Sequence, residues 1–242
     1  MENPNKEYKV SYKTFYNERL QKTLFHTRLM HPLYIRLTFD RIPIYFKSYY
    51  YDLFSKEKYA KRAGAHIAAP DIKEIISMEK NLIEFIIERN RESFSLDLFK
   101  KEYAFYSRDL PDSMEADFTD YLYIFFSDKG MPSFASALKE GCKSRIVFDV
   151  VSDMKNALNK KLYDELIENS FYYAAPYFAL YGYMQDIKTS KLPCLTVLEW
   201  QDEKSKSHFS GYLKKYFKGI DTVEIIQRTD KWINTTMQGA GV

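Results

Sequence analysis

Seven consecutive residues, Leu33-Tyr34-Ile35-Arg36-Leu37-Thr38-Phe39, alternate between apolar and polar or amphipathic side chains. A period of two belongs to a strand with one face buried and the other wet; wound into a helix, the same residues would spread their apolar groups around the circumference. After Asp40-Arg41 the alternation resumes, with Ile42, Ile44 and Phe46 interleaved with Pro43, Tyr45 and Lys47. Two such runs across a short loop predict an antiparallel hairpin. Pro43 lacks an amide donor, so the second run belongs at a sheet edge, or that residue lies near the strand start. A two-stranded ribbon is marginal alone, and the aromatic stretch Ser48–Phe54 is expected to add a third strand. Residues 1–31 are polar and weakly periodic, with Tyr8, Tyr12, Phe15 and Tyr16 among lysines; strand, helix and an arm ordered by a partner all remain open there.

Beyond Lys56 the pattern changes. Lys56 to Pro70 reads as a boundary between a small β-rich domain at 1–65 and a mainly helical domain at 66–242. The expected fold class is therefore α+β: a small N-terminal antiparallel three-stranded sheet followed by a mainly α-helical body. Asp71, with Glu74 three residues on, has the spacing of a capping box ahead of the stripe Ile72, Ile75, Ile76, Leu82, Ile83, Ile86 and Ile87. Ser95 is expected to cap a helix to about Ser107, which Leu110-Pro111-Asp112-Ser113 breaks. A third helix carries Phe118, Tyr121, Leu122 and Phe125 and stops near Gly130. Further helices are expected over Ser133–Glu140, from Ile146 to Leu162, over Tyr163–Asp186 as one long apolar segment kinked or broken at Pro176, and over Lys204–Lys218 and Asp221–Asn234. Leu195–Trp200 reads as a short strand or a first turn, and the last five residues as frayed.

The whole chain of 242 residues has a formal charge of only +3, but the charge is uneven. Residues 1–65 hold 13 basic and 6 acidic side chains, and 9 of the 21 tyrosines. Such an excess at one end is a hint of a polyanionic partner, since Lys and Arg supply sequence-independent attraction to phosphates and Tyr adds hydrogen bonds to the backbone. No apolar run is long enough to span a bilayer, and the N-terminus lacks an apolar leader segment, so a cytoplasmic protein without membrane contact is expected. Cys142 and Cys194 are too few for a disulfide framework or a four-ligand zinc site, and read as buried small hydrophobes. His26 and His31 stand without converging ligands, so no metal is expected, and no phosphate-cradling glycine loop or hydrolase motif is present, so no cofactor is either. The acid pairs Asp117/Asp120 and Asp149/Asp153 read as solvated helix faces, and the aromatics Phe171 to Tyr183 as core.

The stretch His31-Pro32-Leu33-Tyr34-Ile35-Arg36-Leu37-Thr38-Phe39-Asp40, followed by Ile44-Tyr45-Phe46-Lys47-Ser48, resembles the arm-type DNA-binding domain of tyrosine recombinases, especially integrases of Bacteroidetes mobile elements. The resemblance covers residues 28–60, extends in pattern only over 71–165, and is absent beyond. It implies a three-stranded sheet backed by a helix that reads arm sites on DNA, followed by a helical linker and core-binding domain. Two departures stand out. The family's hairpin turn usually carries Gly where Arg41 stands, so the loop is expected to be longer or differently shaped. None of the four histidines sits in the family's His-x-x-Arg element, so the catalytic cluster is missing and no enzyme activity is expected.

Alternation places Tyr34, Arg36, Thr38, Tyr45 and Lys47 on one face of the hairpin, with Arg41 at its tip. A β-ribbon fits the major groove, where Arg holds guanine and Lys reaches phosphate. Lys56, Lys58, Lys61 and Arg62 would be positioning contacts. The expectation is a non-catalytic accessory or regulatory DNA-binding protein related to mobile-element integrases, with double-stranded DNA as partner. The alternative is a protein-interaction module acting through the aromatic-rich helical body; an enzyme of unfamiliar type ranks last.

Overall fold

Burial of one side of the Leu33–Phe39 run organises the N-terminal part of the chain. Leu33, Ile35 and Leu37 are almost fully buried, whereas Arg36 between them is open to solvent. The computed structural model describes residues 9–25, 28–60, 70–187 and 193–237. Within them, β1 (Ser11–Tyr16), β2 (Thr23–Phe25), β3 (Arg28–Met30), β4 (Leu33–Phe39) and β5 (Ile42–Lys47) precede every helix. β4 is the middle strand of an antiparallel sheet of order β1-β4-β5, and β2 and β3 form a separate two-stranded ribbon. Pro43, second in β5, thus lies on an edge strand. The hairpin turn is only Asp40-Arg41, with φ of +46° and +66°. That is the mirror-image turn favoured between twisted strands, formed here without glycine. The expectation of a longer loop at Arg41 is therefore corrected.

The third strand is β1, not Ser48–Phe54. Those residues form α1 (Tyr49–Phe54), whose first turn is held by Ser48 Oγ accepting from the Tyr51 amide at 3.1 Å. Buried Tyr50, Tyr51, Leu53 and Phe54 have helical rather than alternating spacing. After the single turn α2 (Glu57–Ala60) come α3 (Ile72–Arg89) and α4 (Leu96–Tyr106), capped by Asp71 and Ser95. The apolar face of the sheet is covered by these helices: Phe46 meets Tyr103 at 4.7 Å between ring centres, and Tyr12 donates to Glu84 at 2.7 Å.

Contacts gather the described residues into two units, one of residues up to Lys56 with 70–107, the other of 57–60 with everything from Arg108 on. The second unit holds α5 (Leu110–Asp128), α6 (Pro132–Cys142), α7 (Val147–Ala157), α8 (Lys160–Tyr173), α9 (Tyr177–Ile187), the one-turn α10 (Val197–Trp200), α11 (Glu203–Tyr216) and α12 (Thr222–Trp232), which runs on into a π-turn at Ile233–Met237. α5 packs against α6, α8 and α9. It starts one turn earlier than expected: Asp109 accepts from the Asp112 amide at 2.8 Å, and Pro111 stands in the first turn, where no amide donor is needed. The 163–186 stretch is two helices, because Ala174 is extended and Pro176 has no amide for the preceding turn. Arg228 donates to the carbonyls of Phe171, Tyr172 and Ala174 at that break. Leu195–Trp200 resolves as α10, opened by a reciprocal Thr196–Glu199 capping box. No helix among the described residues is long and apolar enough to cross a membrane.

Arg41 occupies a left-handed conformation that costs an L-residue about 1 kcal/mol and glycine almost nothing. Arg41→Gly is expected to raise unfolding free energy by about 1 kcal/mol in urea titrations; a loss of stability would contradict this turn geometry.

Candidate nucleic-acid interface

Cross-strand register fixes which side chains share the outer face of the sheet. Arg36 pairs with Lys13 on one side and Tyr45 on the other, and Tyr34 pairs with Phe15 and Lys47. Thr38 lies between Ser11 and Pro43. Strand partners point to the same side, so two rows, Lys13-Arg36-Tyr45 and Phe15-Tyr34-Lys47, stand together beside the row that holds Thr38, opposite the helix-covered face. Five of the six sequence-predicted residues, Tyr34, Arg36, Thr38, Tyr45 and Lys47, meet here; Arg41 is exposed in the turn at one end of the hairpin.

The face is amphipathic in its own right. The Phe15 ring lies 6.3 Å from both Tyr34 and Tyr45, edge-on to the latter, and the Arg36 guanidinium is 5.9 Å from the centre of the Tyr45 ring. Tyr45 is nevertheless 58% exposed. Lys47 is ion-paired with Asp52 of α1, which neutralises part of its charge. Lys13 and Phe15 were missed by sequence reasoning because the inward residues of β1 are Tyr12, Thr14 and Tyr16, not aliphatic ones. The strand propensity of Ser-Tyr-Lys-Thr-Phe-Tyr was the one available signal. Of the expected positioning cations, Lys58 is not surface charge: its side chain is 11% exposed and paired with Asp112 and Glu115. Lys61 and Arg62 lie outside the described residues, as do His26, His66 and the final five residues.

Beneath the sheet, Glu79 of α3 is completely buried. Its Oε1 accepts from Ser48 Oγ at 2.5 Å and the Tyr50 amide at 3.4 Å, and its Oε2 accepts from the Tyr103 hydroxyl at 2.7 Å. The Tyr103 oxygen in turn accepts from the Tyr49 amide at 3.1 Å. Burial pushes the Glu79 carboxyl up to about 7, against hydrogen bonds that lower it. The second unit has its own buried polar group. Burial, with the neighbouring Asp112 charge, raises Asp109 to about 7, and Asp109 also accepts from the Leu195 amide at 2.7 Å. Burial lowers the Lys58 ammonium pKa, but Asp112 and Glu115 more than offset this and hold it above its ordinary value. Glu115 Oε1 accepts from Tyr177 OH at 3.0 Å and the Val147 amide at 3.2 Å. These groups bind the fold together. Among the described residues, no three His, Cys, Asp or Glu side chains converge as a metal site would require. Comparisons with protein-family models, curated proteins and solved structures return no match for this chain.

Two expectations follow from the buried groups. A carboxyl raised from 4.5 to about 7 by folding stabilises fully below pH 4.5 and progressively less as pH climbs to about 7. Relative to Glu79→Gln, the wild-type chain is therefore expected to lose on the order of 3 kcal/mol between pH 5 and pH 8, read from urea unfolding at each pH; a constant difference between the two proteins would refute it. Lys58→Ala removes the countercharge from two largely buried carboxylates and is expected to cost about 3–5 kcal/mol in the same assay at pH 7.

Proposed function

We propose that the chain is a non-catalytic DNA-binding accessory or regulatory protein, related to mobile-element integrases, whose three-stranded sheet lies in the major groove of duplex DNA. The observation that carries this is the register: Lys13, Arg36 and Lys47 share one outward face with Tyr34, Tyr45 and Thr38. With strands at about 4.8 Å spacing, the axes of the outer two lie roughly 10 Å apart, a scale comparable with a groove about 12 Å wide. Arg36 stands in the middle of the middle strand, where a guanidinium meets base edges. Lys13 and Lys47 flank it towards the two phosphate backbones, and Tyr34, Tyr45 and Thr38 offer hydroxyls to phosphates or bases. Supporting the family side of the proposal are the residues His31–Asp40 and Ile44–Ser48, and supporting the non-catalytic side is the missing His-x-x-Arg element.

Gel-shift titrations of the full chain against duplex DNA at several salt concentrations test this. The fragment 1–65 would not serve, because α3 and α4 cover its sheet. Arg36→Ala and Lys13→Ala are each expected to weaken binding and reduce the slope of log K against log salt by about one. Lys47→Ala is expected to do less, since Asp52 already neutralises it, and Asp52→Asn is expected to strengthen binding. Absence of duplex binding at low salt, or tighter binding to single strands, would overturn the proposal.

A further inference from the structure

We propose that the cavity between α5 and α8 binds a linear aliphatic polyamine. The cavity has a volume of about 590 Å³ and is walled by the rings of Tyr121, Phe125 and Tyr173 together with Ile124. That volume is in the range of small-molecule sites, and aromatic faces attract ammonium groups while their bodies pack against methylenes. The polar side chains lining it are Asp117, Asp120 and Asp128, with Asn169 as the neutral member; Lys129 Nζ, 5.5 Å from the centre of the Phe125 ring, already marks that wall as one that accepts an ammonium group.

The spacing of these acids selects a linear ligand. On a helix of 3.6 residues per turn, Asp117, Asp120, Tyr121, Ile124 and Asp128 fall on one stripe. Two carboxylates stand at one end of the stripe and one at the other, eight and eleven residues on, or about 12 and 16 Å along the axis. Between them lie Tyr121, Ile124 and Phe125, which offer nothing to a metal ion but suit a hydrocarbon stem. Ile124 is 57% exposed and Tyr173 is 77% exposed, an apolar rim otherwise left to water. The acids remain available. Among the described residues, Asp128 makes no ion pair, Asp120 is held by Lys139 in an exposed pair at 2.6 Å, and Asp117 accepts only from Trp232 Nε1 at 3.2 Å. Exposed pairs contribute little, so Lys139 offers only a weak barrier to a ligand ammonium. A terminal ammonium would sit at Asp117 and Asp120, the other at Asp128, with the chain across the rings.

Isothermal titration of the full chain with spermidine in low-salt buffer tests the assignment. Saturable one-to-one binding is expected, weakened at least tenfold by Asp128→Asn and by Tyr173→Ala. Both positions are exposed, and circular dichroism is expected to confirm that both variants fold as the wild type does. Putrescine, too short to reach both ends, is expected to bind at least tenfold more weakly, and magnesium at equal charge to displace spermidine poorly. No saturable binding, equal binding by either variant, or equal displacement by magnesium would overturn the proposal.

Discussion

Sealing Ile35 and Leu37 against the helices leaves Tyr34, Arg36 and Thr38 no choice of side, because successive residues of a strand point in opposite directions. A slip of one residue in β4 would expose three large aliphatic side chains and bury a guanidinium, at a cost well beyond the marginal stability of a small domain. The same constraint passes through the hydrogen-bond register to β1 and β5, so one buried face dictates the chemistry of the outer face over all three strands. The functional proposal is in this sense a consequence of packing: whatever binds the outer face meets cations and phenols held at strand spacing.

The lid over the buried face carries an unusual burden. Glu79 is surrounded by donors from α1 and α4 and not by a countercharge: the Ser48 hydroxyl, the Tyr103 hydroxyl and the Tyr50 amide. A carboxylate there is poorly solvated but well hydrogen-bonded, which is why burial raises it only to about 7. The geometry gives the network a structural role. Ser48 simultaneously caps α1 and donates to Glu79, so the point where the chain leaves β5 and turns into a helix is tied directly to α3. A hydrophobic residue at position 79 would remove the desolvation penalty but leave the hydroxyls of Ser48 and Tyr103 without that acceptor.

The hairpin was legible in the sequence because both strands combine aliphatic alternation with a short loop, and the main helices because caps such as Asp71 and Ser95 precede apolar stripes. What escaped had physical reasons. β1 turns Tyr12 and Thr14 inward, both only half-buried, and these carry no clear amphipathic contrast. Ser48–Phe54 has strand-like composition, but its cap and the burial of Tyr50, Tyr51, Leu53 and Phe54 favour helix, so tertiary packing overrode local propensity. Pro111 looked like a breaker, whereas in a first turn it is neutral. The face at Lys13 and the buried Glu79 depend on residues from strands and helices far apart in sequence, and no local pattern announces such meetings.

The cationic surplus of the N-terminal region is also less available than its count implies. Lys47 is tied to Asp52 and Lys58 is committed to Asp112 and Glu115, so Lys13, Arg36 and Arg41 are the exposed cations of β1, β4 and the hairpin turn. Three phosphate contacts would weaken binding only about 40-fold between 50 and 200 mM salt, where six to ten contacts give a thousandfold or more. A face of this kind would hold DNA weakly through charge alone. On the proposed function, useful affinity would then have to come from contacts that discriminate: Arg36 to base edges, Thr38 to a thymine methyl, and the tyrosine hydroxyls. Arg41 fits the same logic. It makes no hydrogen bond or ion pair among the described residues and holds a backbone conformation that glycine would adopt more cheaply, so what it adds at the tip is a charge presented outward.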